Sequence, residues 1–370
     1  MKNRLIDCVP NFSEGRRPEA VESIVNAISG TPCGPGELLK VLHVDSGAAA
    51  NRTVVTFAGT PEAVVEAAFR AVRKASEVID MRKHHGEHPR IGATDVLPLV
   101  PVSGISIEEC AELARVLAAR IYEEVGIPCF CYEAAALIPE RRRLEVCRAG
   151  EYESLPVSIA DPSRRPDFSP ESYNETVARA GASVVGARNF LIAVNFNLDS
   201  ADVSAARRIA ARVRESGQVM HDASGAVVRD STGKPVRIPG TLKGCKAIGW
   251  YIEEYGIAQV SMNITDIHLT SLHEAYLEVC RVAQEEGAGI TGTEIIGLVP
   301  EQCLLDAGEY FHGLLTGSGD RTSSSTPALS RDELILTAIS ALHLDDLRPF
   351  DPAQKIIESL LFTGSNLCLD

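Results

Sequence analysis

The stretch richest in side chains able to move a proton is Arg82-Lys83-His84-His85-Gly86-Glu87-His88-Pro89-Arg90-Ile91-Gly92-Ala93-Thr94-Asp95. Histidine is the side chain whose ordinary pKa suits proton transfer near neutral pH. Pro89 holds the backbone of His88 extended, which fixes where its imidazole points. His88 therefore fits a general acid and base, and also a hydrogen-bonded structural histidine. A metal site is the weaker reading. His84 and His88 have helical i,i+4 spacing, but Gly86 and Pro89 oppose a helix, and no HExxH or second Cys/His cluster completes a shell. Two further polar loops, Val9-Pro10-Asn11-Phe12-Ser13-Glu14-Gly15-Arg16 and Asp45-Ser46-Gly47-Ala48-Ala49-Ala50-Asn51-Arg52-Thr53, follow expected strands. Ser13 and Glu14 also fit the N-cap region of the next helix, and Asp45 and Asn51 ordinary turn chemistry. Three polar loops leaving one sheet point to one site.

The elements that must position these loops follow from hydrophobic period. Strand 5–9, helix 18–28, strands 38–44 and 53–57, helix 61–79 and strand 96–102 give β-α-β-β-α-β, with helix 106–124 and strand 128–132 added. Residues 133–186 lose periodicity and, with Pro156, Pro162, Pro166 and Pro170, read as a surface connector. The first order then returns as strand 190–197, helix 203–214, hairpin strands 246–252 and 258–263, helix 271–286 and strand 295–299. Residues 217–240 read as a mobile loop or lid, and 331–342 and 352–361 as closing helices. The expected fold class is α/β (α+β), with two βαββαβ-type, ferredoxin-like sandwich subdomains at 1–180 and 181–330 and a helical extension at 331–370.

The chain has 370 residues and a net charge of -14, a balance that repels a polyphosphate backbone and argues against nucleic acid. The opening MKNRLIDCVPNF does not read as a signal peptide, and no 18-residue uncharged apolar run occurs, so the expectation is a cytoplasmic protein without membrane contact. Ten cysteines without a CxxC pair suit reduced core thiols. Cys129 and Cys131 share one face of a strand and are the closest approach to a metal pair.

Taken in succession, CVPNFSEGR, DSGAAANRTVVTFAG, HHGEHPRIGATDVLPLVPV, RAGEYESL, GARNFLIAVNFNL, KAIGWYIEEYGIAQVSMNITD and GLVPEQCLLDA make the chain resemble the glutamate formiminotransferases, the formimidoyl-transfer domain of formiminotransferase-cyclodeaminase. The resemblance runs from about Leu5 to Leu361. It implies transfer of a formimino group from N-formiminoglutamate to N5 of tetrahydrofolate during histidine breakdown, with no metal, in a homodimer whose folate lies in a tunnel between the two subdomains. The family's catalytic histidine falls in GEHPR and corresponds to His88. The folate-lining segment corresponds to about 169–181, with Ser169, Pro170, Tyr173 and Gly181, where this chain carries a short insertion. Asp45 would orient the imidazole or bind the cationic amidine. Arg52, Arg90 and Arg188 would bind carboxylates, and Asn11 and Asn51 complete the binding set. One departure stands at Tyr132-Glu133-Ala134-Ala135, where the family reads Tyr-Gly-Glu-Ala, so Glu133 would have to act from a shifted position. That departure keeps open a different one-carbon donor, such as formiminoglycine or N-formylglutamate. A non-catalytic binding module is a further alternative from fold alone.

Overall fold

The computed structural model describes residues 4–48, 50–86, 89–253, 255–316 and 329–362. The chain divides after Asn189 into two compact units.

The first unit runs β1 (Leu5–Cys8), β2 (Asn11–Phe12), α1 (Pro18–Ser29), β3 (Leu39–Gly47), β4 (Arg52–Gly59), α2 (Pro61–Val78), β5 (Thr94–Ser103), α3 (Ile107–Val125) and β6 (Cys129–Glu133), then α4 (Leu144–Cys147), α5 (Leu155–Ala160), α6 (Glu175–Ala180) and β7 (Ser183–Ala187). Its seven strands form one sheet in the order β3, β4, β1 with β2 beyond it, β5, β7, β6. The first strands pair antiparallel, giving the βαββαβ core. β7 then inserts between β5 and β6, parallel to both. Small buried residues of α2, including Ala67, Ala68, Ala71 and Ala75, let that helix lie close to the sheet. α3 begins at a capping box, with Ser106 and Glu109 each bonding the other's backbone N–H, and ends at Gly126, whose φ of 79° suits the left-handed cap.

The second unit runs β8 (Ile192–Leu198), α7 (Val203–Val213), β9 (Gln218–Val219), β10 (Arg237–Ile238), β11 (Cys245–Ile252), β12 (Ile257–Ile264), α8 (Leu272–Glu285), β13 (Ile290–Ile296), α9 (Glu301–Thr316), α10 (Arg331–Ala341), α11 (Pro352–Lys355) and α12 (Ile357–Phe362). Its main sheet, ordered β11-β12-β8-β13 and wholly antiparallel, is the ferredoxin-like arrangement that the repeated pattern predicts.

Four expectations change. The boundary lies at 189/190 rather than 180/181, because β7 pairs inside the first sheet. The helices at 331 and beyond belong to the second unit, where α10 packs along α9, a helix absent from the expected elements. Residues 133–186 are not a surface connector: Cys147, Leu155, Ile159 and Val177 form a second core with Val96, Phe130, Tyr132 and Val184. Short helices broken by prolines hid that core from any periodic test. Finally, 217–240 is a hydrogen-bonded arm, not an irregular loop. Met220, Val228 and Val236, eight residues apart, close a ring in which Met220 N–H donates to Val236 O, Val228 N–H to Met220 O and Val236 N–H to Val228 O, at 2.8 to 2.9 Å. Between them Asp222 and Asp230 cap matching turns, Asp222 accepting from Ser224 and Asp230 from Thr232. An eight-residue repeat matches neither the helical nor the strand period.

Candidate active site

In the first unit, register assigns side chains to the two faces of the sheet. Val55, Phe57, Leu97 and Leu99 face the helices in the main core. The opposite face carries the residues that alternate with them. Asp45 and Asn11 both pair with Val54, and Asp7 pairs with Ala58 and Val100. Arg52 shares this face two residues from Val54, and it donates to Asn11 Oδ1. Burial lowers the Arg52 pKa, the nearby Arg148 acts in the same direction, and Asp95 and Asp45 oppose them. Asn11, Asp45 and Arg52 are thus brought together.

The three polar loops meet through one residue. Asn51 adopts a left-handed backbone, φ 48°, a region that asparagine tolerates. Its Oδ1 accepts from Gly15 N–H at 3.0 Å, and its Nδ2 donates to His85 O at 3.0 Å. Gly86 lies against this turn so closely that a Cβ there would collide with the Ala50 carbonyl. His84, 6% exposed, completes the clamp. Arg90 Nε can only donate, so His84 Nδ1 accepts from it at 3.3 Å, and Nε2–H then donates to Asn51 O at 2.9 Å. Burial holds the His84 pKa below the ordinary value. His84 is a neutral structural histidine. His88, the expected acid and base, lies outside the described residues, directly after this clamped segment.

Arg90 is held by carboxylates of the RAGEYESL segment, bonding Glu151 at 3.0 Å and Glu153 at 2.6 and 2.9 Å. Its cationic head orders the base of the histidine loop. Arg148 of the same segment forms a bidentate pair with buried Asp95, at 3.1 and 2.7 Å. Burial raises the Asp95 pKa and Arg148 draws it back. In the sequence the motif shows only charges alternating with small residues, which signals a buried ionic role without naming its partners. Glu14 braces the turn that enters α1 without capping the helix: its Oε1 accepts from Arg16 and Arg17 N–H, both at 2.9 Å. Burial pushes its carboxyl up, but these bonds and the Arg17 side chain bring it below the ordinary range.

The remaining expected residues fall elsewhere in the unit. Gly181, φ 73°, packs its backbone on Ile91 and Gly92 at the root of the histidine loop. Ser169 Oγ donates to Pro170 O within its own segment, and Tyr173 pairs with Tyr152. Arg188 leaves β7 beside Asp7 and Tyr132. Glu133 is exposed with φ 53°, a conformation that glycine adopts freely. Cys129 and Cys131 are buried in the main core, and burial pushes both thiols up. Among the described residues, no group of three His, Cys, Asp or Glu side chains could hold a metal ion, and no helix is long and apolar enough to cross a membrane.

Two family profiles match consecutive parts of the chain. The profile of the formiminotransferase domain, N-terminal subdomain, matches residues 5–188, and that of the formiminotransferase domain matches residues 193–362. The chain is 44% identical over 362 residues to formimidoyltransferase-cyclodeaminase of Gallus gallus, covering 98% of this chain and 60% of that protein. It is 38% identical to glutamate formimidoyltransferase of Streptococcus pyogenes serotype M1, covering 83% of this chain and 93% of that protein, and 37% identical to that of Thermoplasma acidophilum, covering 83% and 92%. The chain thus spans 60% of the length of the first curated relatives it matches. With both profiles matching consecutive halves that coincide with the two units, the chain belongs to the formiminotransferase family.

Proposed function

We propose that this chain is a glutamate formimidoyltransferase. It moves the formimino group of N-formimino-L-glutamate to N5 of tetrahydrofolate, giving 5-formiminotetrahydrofolate and glutamate, as a step of histidine degradation. The observation that carries this reading is the convergence of the three motif loops on Asn51, which holds Gly15 on one side and His85 on the other. In the reaction, N5 attacks the amidine carbon and loses its proton to His88. The bond from that carbon to the glutamate nitrogen then breaks, and His88 returns a proton to the departing nitrogen. Asp45 orients the imidazole or pairs with the cationic amidine. Arg52 and Arg188 receive the carboxylates of glutamate and folate, where a guanidinium offers two parallel donors. Arg90, tied to Glu151 and Glu153, supports the loop. Asn11 sets Arg52, and Ser169, Pro170, Tyr173 and Gly181 line the folate. This chemistry requires no metal. A cytoplasmic homodimer is part of the same reading and comes from the family resemblance; sedimentation of the purified chain tests the dimer.

The deciding experiment mixes purified protein with tetrahydrofolate and formiminoglutamate and follows the absorbance of the methenyl product after acid. Signal with that donor supports the reading. Silence with it and signal with formiminoglycine or N-formylglutamate establishes the second reading, which rests on the departure at 133–134: the resemblance implies a glycine followed by a carboxylate, whereas here Glu133 is followed by Ala134.

A further inference from the structure

The strand Leu5-Ile6-Asp7-Cys8 is apolar except for one carboxylate. Asp7 is 1% exposed, and among the described residues its Oδ1 has no hydrogen-bond partner. A buried carboxylate oxygen without a donor is costly and calls for an explanation. Its register partners, Ala58 on β4 and Val100 on β5, neither donate from a side chain nor titrate. The next residue in that row is Lys40 on β3. Cys8 alternates onto the core face, and burial pushes its thiol up, with Asp7 adding to the effect. The charge acting on Asp7 is Arg188. Arg188 follows β7 onto the same face, its N–H donating to Leu99 O at 3.1 Å and its Nη1 to Asn189 O at 3.1 Å. From β6, Tyr132 lies over Gly186, which has no side chain to obstruct it, and hydrogen-bonds the Arg188 side chain. Arg188 itself is half-buried. The half-buried Arg188 thus follows Ala187, the register partner of Leu99, while the sealed Asp7 pairs with Val100 of the same strand, and the two act on one another through charge without a direct ion pair among the described contacts.

We propose that Asp7 is the positioning residue and exchangeable counter-ion of Arg188: when a carboxylate of the ligand's glutamyl portion takes over the guanidinium, Asp7 takes up a proton. The inference rests on the reading that Arg188 receives a substrate carboxylate. Its physical basis is the balance at Asp7. Burial pushes this carboxyl up, Arg188 and the Cys8 N–H pull it down, and the outcome is about 7. An anion on Arg188 cancels much of the attraction, so the proton binds more tightly in the complex. Linkage then requires the anion to bind more weakly as pH rises through neutrality.

The test is calorimetric titration of the full chain with tetrahydrofolate, and separately with L-glutamate, in buffers of different ionisation enthalpy. Near pH 7.5 the wild type takes up a fraction of a proton per ligand bound, and its affinity falls by up to about tenfold between pH 6.5 and 8.5. Asp7→Asn, an isostere that mimics the protonated form, binds with that uptake lost and affinity flat across the range, so KM loses its pH dependence while kcat changes less than about twofold. Equal proton uptake in Asp7→Asn and wild type overturns the proposal. So does a wild-type affinity that does not change with pH, which needs no variant. The two ligands show whether the carboxylate belongs to the folate or to the amino acid. Turnover of formiminoglutamate, assayed in parallel, separates failure of this proposal from failure of the transferase reading: activity without Asp7-dependent uptake sinks only the former.

Discussion

The two sheets share one βαββαβ core, to which the first adds β2, β6 and β7, and they differ in the face turned away from the long helices. In the first unit that face is divided: Val96, Phe130, Tyr132 and Val184 lie in the second apolar core, and beside them Asp7, Asp45, Arg52 and Arg188 form an ionic patch with Asn11. In the second it is a row of amides that ends on carboxylates. Trp250 Nε1 donates to Gln259 Oε1 at 3.1 Å, Gln259 Nε2 to Asn197 Oδ1 at 2.7 Å, and Asn197 Nδ2 to Asp346 Oδ2 at 2.9 Å. Beside this row, Asn195 Nδ2 donates to Glu294 at 3.2 Å. Gln259 and Asn197 are both fully buried, which amides tolerate because hydrogen bonds alone satisfy them. Charges need counter-charges as well, and among the described residues the first face leaves Asp7 Oδ1 without a donor. One scaffold is therefore filled in two ways. The second face is a completed network that specifies register, whereas the first keeps ionic capacity that a ligand can use.

Breaking the ionic side costs most. Arg148→Met strands the buried Asp95 carboxylate, and we expect a loss of about 3–5 kcal/mol in urea unfolding. A loss below about 1 kcal/mol would mean that the pair behaves as an exposed one. His88→Ala should lower turnover roughly 10²-fold or more with little change in folate affinity, and unchanged steady-state rates would remove His88 from its role. On the amide side, Gln259→Leu leaves Trp250 and Asn197 each short of a partner and should destabilise by about 1–3 kcal/mol. The ionic contrast predicts that this loss is nearly the same in low and high salt; strong salt dependence would erase the distinction between the faces. The smallest effect is at His84. Its folded pKa lies below the ordinary value of about 6.5, so its contribution is complete above that pH and is lost as pH falls toward the folded pKa, because the unfolded chain binds the proton first. Thermal unfolding between about pH 8 and 5 should be flatter for His84→Gln than for wild type; parallel curves would acquit this residue.

Much of the scaffold was legible because helices and strands write their periods locally. The apolar stripes of α2, α3, α7 and α8 and the twin βαββαβ orders follow from neighbours three, four or two residues apart. What escaped had no such period: the prolines and short helices of the second core, and the eight-residue repeat of the 217–240 arm. At the site, the convergence of three loops was readable from their polar composition. The partition of labour was not. His84 and His88 look alike in sequence, yet His84 is the clamp, and Arg90, expected on a substrate, is held by Glu151 and Glu153, more than sixty residues away.

The alternation of elements, the three polar loops and the family follow from the amino-acid order, since each is written in spacings along the chain. Which charges neutralise one another is settled by the folded chain. Asp95 meets Arg148, Asp7 faces Arg188, and Asn51 holds Gly15 and His85 because β-strands distant in sequence become neighbours in one register. A counter-ion is chosen by distance and burial in the folded state, and neither is a property of local spacing.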